Sequence, residues 1–419
     1  MPTATKYAKE TFWALASKGV AFVFYYALVY FLTRQMTVEV WGDWSAFLAL
    51  LNIILLISDQ GINAASKRYF AETRESAALG GLVCATLTLR VLASLLFTVV
   101  IALLIQPLLS WLHQANHIAL MERSLLLIAL YRVMDYFKSL FEALHRLRST
   151  FIINTVEHGL KLFLVLSLYR GGNEFLAIVA AFTIAVAVAL AVGFVLTIQA
   201  IPGMFVPRQP WPNVRQLYRY SLPVFLMSIA GFISPEIDTI MLKNLATDYE
   251  TGIYSAAKQI VIFLPHIALA FSMGLIPGIS IFDEAAAPIQ RRLYYRLLAG
   301  LGGLYLIVCL GVVMFARWGM SLFFRPEYHA ASTTLLVLIP FVIFNAATIF
   351  SGSLMLYRGL AWQRLANVGL TITVNVFLNW VLIPIWGAVG AAAASSLAYL
   401  PYSLLNLRAA DKAFSGDRA

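Results

Sequence analysis

Charge is scarce in this sequence. Only 12% of its 419 residues are Asp, Glu, Lys or Arg, while 61% are hydrophobic; soluble globular domains carry about 25% charged residues. An ordinary water-soluble fold of this length is thereby excluded. Cysteine is scarcer still. Cys84 and Cys309 each stand alone in apolar surroundings, so neither a disulfide framework nor a cysteine metal site is expected. There is no GxxxxGKS/T stretch, no HExxH, no CxxC and no catalytic triad. The chain therefore carries no recognisable nucleotidase or zinc hydrolase of its own. His113 and His117 are four apart but lack Cys or acidic companions. Long polar segments are missing as well, which leaves no room for a soluble catalytic domain. No small-residue cleavage site follows Lys6, Lys9 and the first apolar span, so no removable leader is expected. No cofactor is implied.

What the chain has instead is apolar runs of the length that crosses a bilayer as a helix, about 20 residues. Stretches such as Val91–Ile105 do not alternate, which argues against a barrel. Spans are expected near 12–32, 45–64, 80–105, 119–140, 150–169, 174–199, 219–242, 253–275, 293–316, 330–356, 361–383 and 387–407. The fold class is an all-α polytopic membrane protein of about twelve transmembrane helices. The least membrane-like stretch, Val206 to Arg219, holds Pro207, Pro210 and Pro212 beside Arg208, Arg215 and Arg219. Prolines this close oppose a continuous helix. The expected division is a six-helix lobe over 1–205, a cytoplasmic linker over 206–219, and a second six-helix lobe over 220–419.

An even number of spans puts both termini on one side. With the termini inward, the outward segments hold only Arg34, Arg170, Lys243, Arg317 and Arg325. Most of the other basic residues fall inward, among them Lys67, Lys138, Arg291, Arg292, Arg358 and Arg408. That is the positive-inside bias, and it explains the net charge of +10 as topology, with no nucleic-acid partner. Inward clusters of this kind also suit anionic lipid headgroups. The halves repeat in the same direction: at an offset of 210, Phe31–Leu50 matches Met241–Ile260, with Gly42 on Gly252, Trp44 on Tyr254 and Ser45 on Ser255. Such internal similarity marks a duplicated transporter lobe, here related by an axis along the membrane normal.

Ionisable residues inside spans are costly and usually face a cavity or a partner. The first lobe holds Lys18, Asp59, Arg90, Arg123, Arg132, Asp135, Glu157 and Lys161. Arg132 with Asp135 and Glu157 with Lys161 share helix faces and either brace the bundle or serve a site. Arg90 has no local acid; it lines a hydrated cavity or pairs with an acid on another span. Arg123 and Lys18 either face a cavity or snorkel to a boundary. In the second lobe, SPEIDT places Glu236 and Asp238 beside Pro235, with Lys258 on the next span. Those acids suit coupling or gating, or a simple pairing with Lys243 or Lys258. Lys18, Arg90, Arg123, Arg132, Lys161 and Lys258 are the expected binding residues for an anionic cargo, since basic clusters favour phosphate and carboxylate ligands. Asp59, Asp135, Glu236 and Asp238 are the expected coupling or gating residues. The small-residue run GAVGAAAASSL over 387–397 reads as close helix packing.

Three stretches carry a family likeness. ISDQGINAASKRYFAE over 57–72, PEIDTIMLKNLATDYETGIYSAAKQI over 235–260 and IPIWGAVGAAAASSLAYL over 383–400 resemble bacterial polysaccharide transporters. These form the O-antigen and exopolysaccharide flippase branch of the superfamily that also holds multidrug-and-toxin exporters and peptidoglycan lipid-precursor flippases. The resemblance implies a V-shaped pair of lobes in the inner membrane with alternating access. It implies a polyprenyl-pyrophosphate-linked oligosaccharide as cargo, Na⁺ or H⁺ coupling, and work beside a polysaccharide polymerase. The alternatives are a multidrug-type cation-coupled antiporter on the same scaffold, and a membrane glycosyltransferase or ligase acting on the same lipid.

Overall fold

The computed structural model describes residues 4–73, 76–201, 225, 233–276 and 287–414, and among these it is helical throughout, without a strand. The expected linker at 206–219 lies outside the described residues. In chain order the helices are α1 (Ala4–Gln35), α2 (Val38–Ile57), α3 (Ile62–Glu72), α4 (Ser76–Trp111), α5 (Ile118–Ala143), α6 (Leu147–Leu168) and α7 (Phe175–Ala200). There follow α8 (residues 233–245), α9 (Asp248–Val261), α10 (Leu264–Leu275), α11 (Ala287–Phe323), α12 (Ala331–Val337), α13 (Ile339–Tyr357) and α14 (Ala361–Lys412).

Local chemistry sets the breaks. The expected span at 45–64 ends earlier, at Ile57, because Gln60 and Gly61 take left-handed backbone (φ 52° and 71°) and turn the chain into the short α3. The spans expected at 253–275 and 330–356 each divide in two. Pro265 and Pro340 stand in the first turns of α10 and α13, where the missing N–H costs no helical bond. At 52 residues, a continuous α14 would run about 78 Å at 1.5 Å per residue, far beyond one bilayer. It is two helices meeting at Gly387, whose φ 53° and ψ −128° are not helical. Among the described residues, nine helices are long and apolar enough to cross a membrane. α5 is absent from that set because Glu122, Arg123, Arg132, Asp135, Lys138 and Glu142 lie along it.

The chain packs as two compact units: Met1–Gln35 with Leu51–Phe225, and Met36–Leu50 with Leu226–Ala419. In the first, α1 packs on α6, and α5 and α6 both pack on α7. The α7 stripe Ala181, Ala185 and Ala189 is fully buried. At its end a Cβ on Gly193 would stand 3.1 Å from Phe137 and 3.3 Å from Ile153. With lipid as apolar as the core, such close backbone approach is what holds membrane helices together.

In the second unit α13 packs on α14 and α10, and α9 packs on α12. The sequence assigns 36–50 to the first lobe, but that segment packs within the second unit, and the reason is backbone contact. A Cβ on Gly42 would lie 1.9 Å from the Asp248 carbonyl oxygen, and one on Gly252 would lie 2.0 Å from that of Val38. The start of α2 and the start of α9 thus touch reciprocally, each through a glycine and the residue four before it. Lys243 fastens the same region, donating at 2.5 Å to both Asp43 and Asp248. Burial works against its charge, but the two carboxylates outweigh that and hold its ammonium above the ordinary lysine range. Tyr328 adds a hydroxyl bond to the Thr37 carbonyl at 3.2 Å.

Candidate functional site

The first unit gathers most of its intramembrane charge into one network across α2, α4, α5 and α6. Arg90, on α4, has no exposed surface. Its guanidinium donates to the carbonyls of Asp59 (2.9 Å), Ser58 (3.2 Å) and Arg132 (3.3 Å), and lies 3.9 Å from the Asp59 carboxylate. Of the two alternatives for Arg90, this geometry is that of pairing. Ser58 and Asp59 follow the last residue of α2, where carbonyls lack full helical partners; the arginine donates to both, and the Asp59 carbonyl also accepts from the Ile62 N–H at 3.1 Å. Arg132 donates to Ser58 Oγ at 2.7 Å and stands 3.7 Å from Asp135, the same-face pair expected. Asp135 in turn accepts from Asn63 at 2.8 Å.

A second cluster lies on the other side of Tyr131. Glu157, 1% exposed, is held between Lys138 and Lys161, each at 2.5 Å. The guanidinium of Arg132 and the ammoniums of Lys138 and Lys161 stand 5.4, 6.0 and 5.6 Å from the Tyr131 ring centre, within cation–π range. Lys138, counted inward by the charge asymmetry, is buried within α5, and Glu157 offsets its charge. Together the two clusters bring four basic and three acidic side chains out of water, so pairing neutralises most of the cationic surplus. Lys18 and Arg123 are exposed on α1 and α5.

The second unit is built differently. Lys258 (α9) donates to Glu236 (2.8 Å), to the Pro235 carbonyl (2.9 Å) and to Thr239 (3.3 Å), which is the Glu236–Lys258 pairing expected. Asp238, two residues further along α8, is 1% exposed and forms no ion pair among the described residues. Its carboxylate accepts from Tyr254 Oη at 2.7 Å and Asn379 Nδ2 at 2.6 Å, and bonds to Ser395 Oγ. Asn375 joins through Asn379 (3.2 Å) and Ser395 (3.4 Å). Asn379 Oδ1 is buried with no hydrogen-bond partner. An anion held only by neutral groups is costly in this setting. A proton on the carboxylate, or a small cation taking the oxygens around it, relieves that cost. Among the described residues no cluster of His, Cys, Asp and Glu fits a transition metal.

The sequence expectations reached Asp238 but not Tyr254, Asn375, Asn379 or Ser395, and they missed Tyr131. The signal was present for two of these: Asn375 and Asn379, four apart in TITVNVFLNWVL, share a helix face in an otherwise apolar run.

Comparisons with known proteins bear on this arrangement. A family model described as "Polysaccharide biosynthesis protein" matches residues 7–282. An uncharacterized membrane protein of Methanocaldococcus jannaschii is 20% identical over 414 residues, covering 94% of each chain. The probable low-salt glycan biosynthesis flippase of Haloferax volcanii is 24% identical over 198 residues, or 46% of this chain and 41% of that protein. Among solved structures, an inward-facing multidrug resistance MATE family transporter superposes with a TM-score of 0.73 at 12% identity, covering 97% of this chain and all of that one. The lipid II flippase MurJ in its inward closed conformation gives 0.71 at 10% identity, covering 97% and 89%. The fold is that of the MATE- and MurJ-type transporters, all-α and multi-pass.

Proposed function

This chain belongs to the polysaccharide biosynthesis protein family, and from that membership we propose that it is a flippase. Its cargo is a polyprenyl-pyrophosphate-linked oligosaccharide repeat unit, turned from the cytoplasmic to the outer leaflet of the bacterial inner membrane for surface or exported polysaccharide. Family membership supports a transport role rather than a catalytic one, which sets the glycosyltransferase or ligase reading aside. The family match carries the proposal, and the geometry supports it through the basic side chains of the first unit. Lys18 and Arg123 are exposed, while Arg132 and Lys161 border a network whose basic members outnumber its acids. These four, with Lys258, are assigned to the pyrophosphate. Arg90 is assigned to positioning, because it holds the corner between α2 and α3.

Coupling is assigned to Asp238, through H⁺ or Na⁺, since it is a buried carboxylate without a basic partner among the described residues. Glu236, paired with Lys258, is assigned to gating, and Asp59 and Asp135 to the interspan network. The architecture proposed is twelve helices in two six-helix lobes with alternating access and both termini cytoplasmic, working beside a polysaccharide polymerase.

The test follows the lipid-linked repeat unit after depletion of the protein, in membrane vesicles of known orientation, with a sugar-modifying reagent that cannot cross. The intermediate is expected to accumulate facing the cytoplasm and to clear when the wild-type chain is restored. Unchanged sidedness overturns the flippase reading. A second reading, a cation-coupled antiporter for small organic cations, draws on Asp238 and on the MATE-like fold. Efflux of a cationic dye that depends on this chain and is lost in Asp238→Asn would favour it.

A further inference from the structure

The amino-terminal end of α11 carries more positive charge than the described residues around it satisfy. A hollow of about 680 Å³ there is lined by Pro288, Arg291, Arg292, Tyr295, Arg296 and Ala299. One of the three arginines is already committed. Arg291 makes a two-pronged bond to Asp411 (2.7 and 2.8 Å), and Tyr295 Oη donates to the same carboxylate at 2.9 Å. This latch ties α11 to the last turns of α14. The other two are not committed. Arg292 and Arg296 are exposed and form no ion pair among the described residues. They lie four apart on one helix face, where like charges repel.

Beyond the arginines the same helix turns an apolar side outward. Leu306, Ile307, Leu310 and Met314 are all at least 60% exposed, as expected of a span facing lipid. The first of these is ten residues past Arg296, about 15 Å along the axis. The hollow therefore sits where an apolar helix face gives way to charge, which is the depth of a headgroup. A guanidinium fork matches two phosphate oxygens at once. We propose that this hollow binds the phosphate of an anionic phospholipid, held by Arg292 and Arg296, with the acyl chains lying along the exposed side of α11. A soluble phosphate shares the headgroup chemistry but makes no use of the apolar face. The proposal is independent of the transported cargo.

The test uses the full-length protein in nanodiscs of equal parts phosphatidylcholine and phosphatidylglycerol, exchanged into mild detergent and weighed intact by native mass spectrometry. Wild-type protein is expected to retain phosphatidylglycerol over phosphatidylcholine by roughly tenfold or more, the scale that two arginines at a membrane surface supply. Arg292→Gln/Arg296→Gln is expected to lose that preference. Arg292→Lys/Arg296→Lys keeps part of it and serves if the glutamine pair misfolds. Arg325→Gln, which removes a half-buried arginine already paired with Glu327, is expected to leave it unchanged. Equal retention of the two lipids by the wild type overturns the proposal, as does an undiminished preference in the glutamine pair. Displacement of the lipid from wild-type protein by millimolar inorganic phosphate overturns the lipid assignment in favour of a soluble ligand.

Discussion

Two buried carboxylates, Glu157 and Asp238, show how differently one chemical group is used here. Glu157 is clamped by two ammoniums, and Asp238 by hydroxyls and amides. The first arrangement ties α5 to α6. Glu157→Gln removes the carboxylate held between Lys138 and Lys161, and truncating one partner of a buried ion cluster costs roughly 3–5 kcal/mol. The melting temperature in detergent should fall accordingly, and Lys138→Met/Glu157→Leu/Lys161→Met should recover much of the loss. Asp238→Asn keeps shape and should preserve the fold, whereas transport in proteoliposomes should lose its dependence on the imposed ion gradient. At the 210-residue offset of the expected repeat, the position of Asp238 corresponds to Leu28, which carries no acid. Arg90 shows why the residue scale is the hardest to read from a sequence. The acid beside it, Asp59, is 31 positions away, and three of its hydrogen bonds go to backbone carbonyls that no side-chain pattern reveals.

Elements were far more legible. Hydropathy placed most helices to within a few residues, because a bilayer leaves a helical backbone few alternatives. The proline-led breaks before α10 and α13 and the meeting point near 387 follow from local rules and were visible as Pro265, Pro340 and Gly387. The end of α2 was not, since Gln60 carries no glycine-like signal for its left-handed turn. Lys138 is hard to read for a related reason: its counterion, Glu157, lies on another helix and no local spacing reveals it. Gly387 is the element-scale test. Its backbone region excludes a side chain, and a Cβ would stand 2.4 Å from Glu250 Oε2, which caps the Ala388 N–H at 2.7 Å. Strain of this kind costs roughly 1–3 kcal/mol, so Gly387→Ala should lower the melting temperature. Glu250→Ala should do so too, by loss of the cap.

At the scale of the molecule, the positive-inside bias predicts that a reporter fused after the last residue is active on the cytoplasmic side. Replacing Arg291, Arg292 and Arg296 together should weaken that orientation more than replacing Arg317 and Arg325, as read by reporter sidedness in whole cells. The glycine contact belongs to this scale as well. Gly42→Ala and Gly252→Ala each force a Cβ against a backbone carbonyl, and both should destabilise by more than the roughly 1–3 kcal/mol of ordinary overpacking. The two losses should be similar, since the two contacts mirror one another.

That mirroring has a consequence for descent. When residue i of one copy meets residue j of the other and j meets i, the interface is the kind a symmetric dimer makes from one sequence. Gly42 against Asp248 and Gly252 against Val38 keep this reciprocity inside a single chain. On the proposed duplication, the ancestor was a half-length polypeptide in which one glycine, used twice, sealed a pair of identical subunits. Fusion then released each copy from the other's constraints. Trp44 could stay an apolar filler while its counterpart, Tyr254, acquired a hydroxyl and with it a buried aspartate to hold.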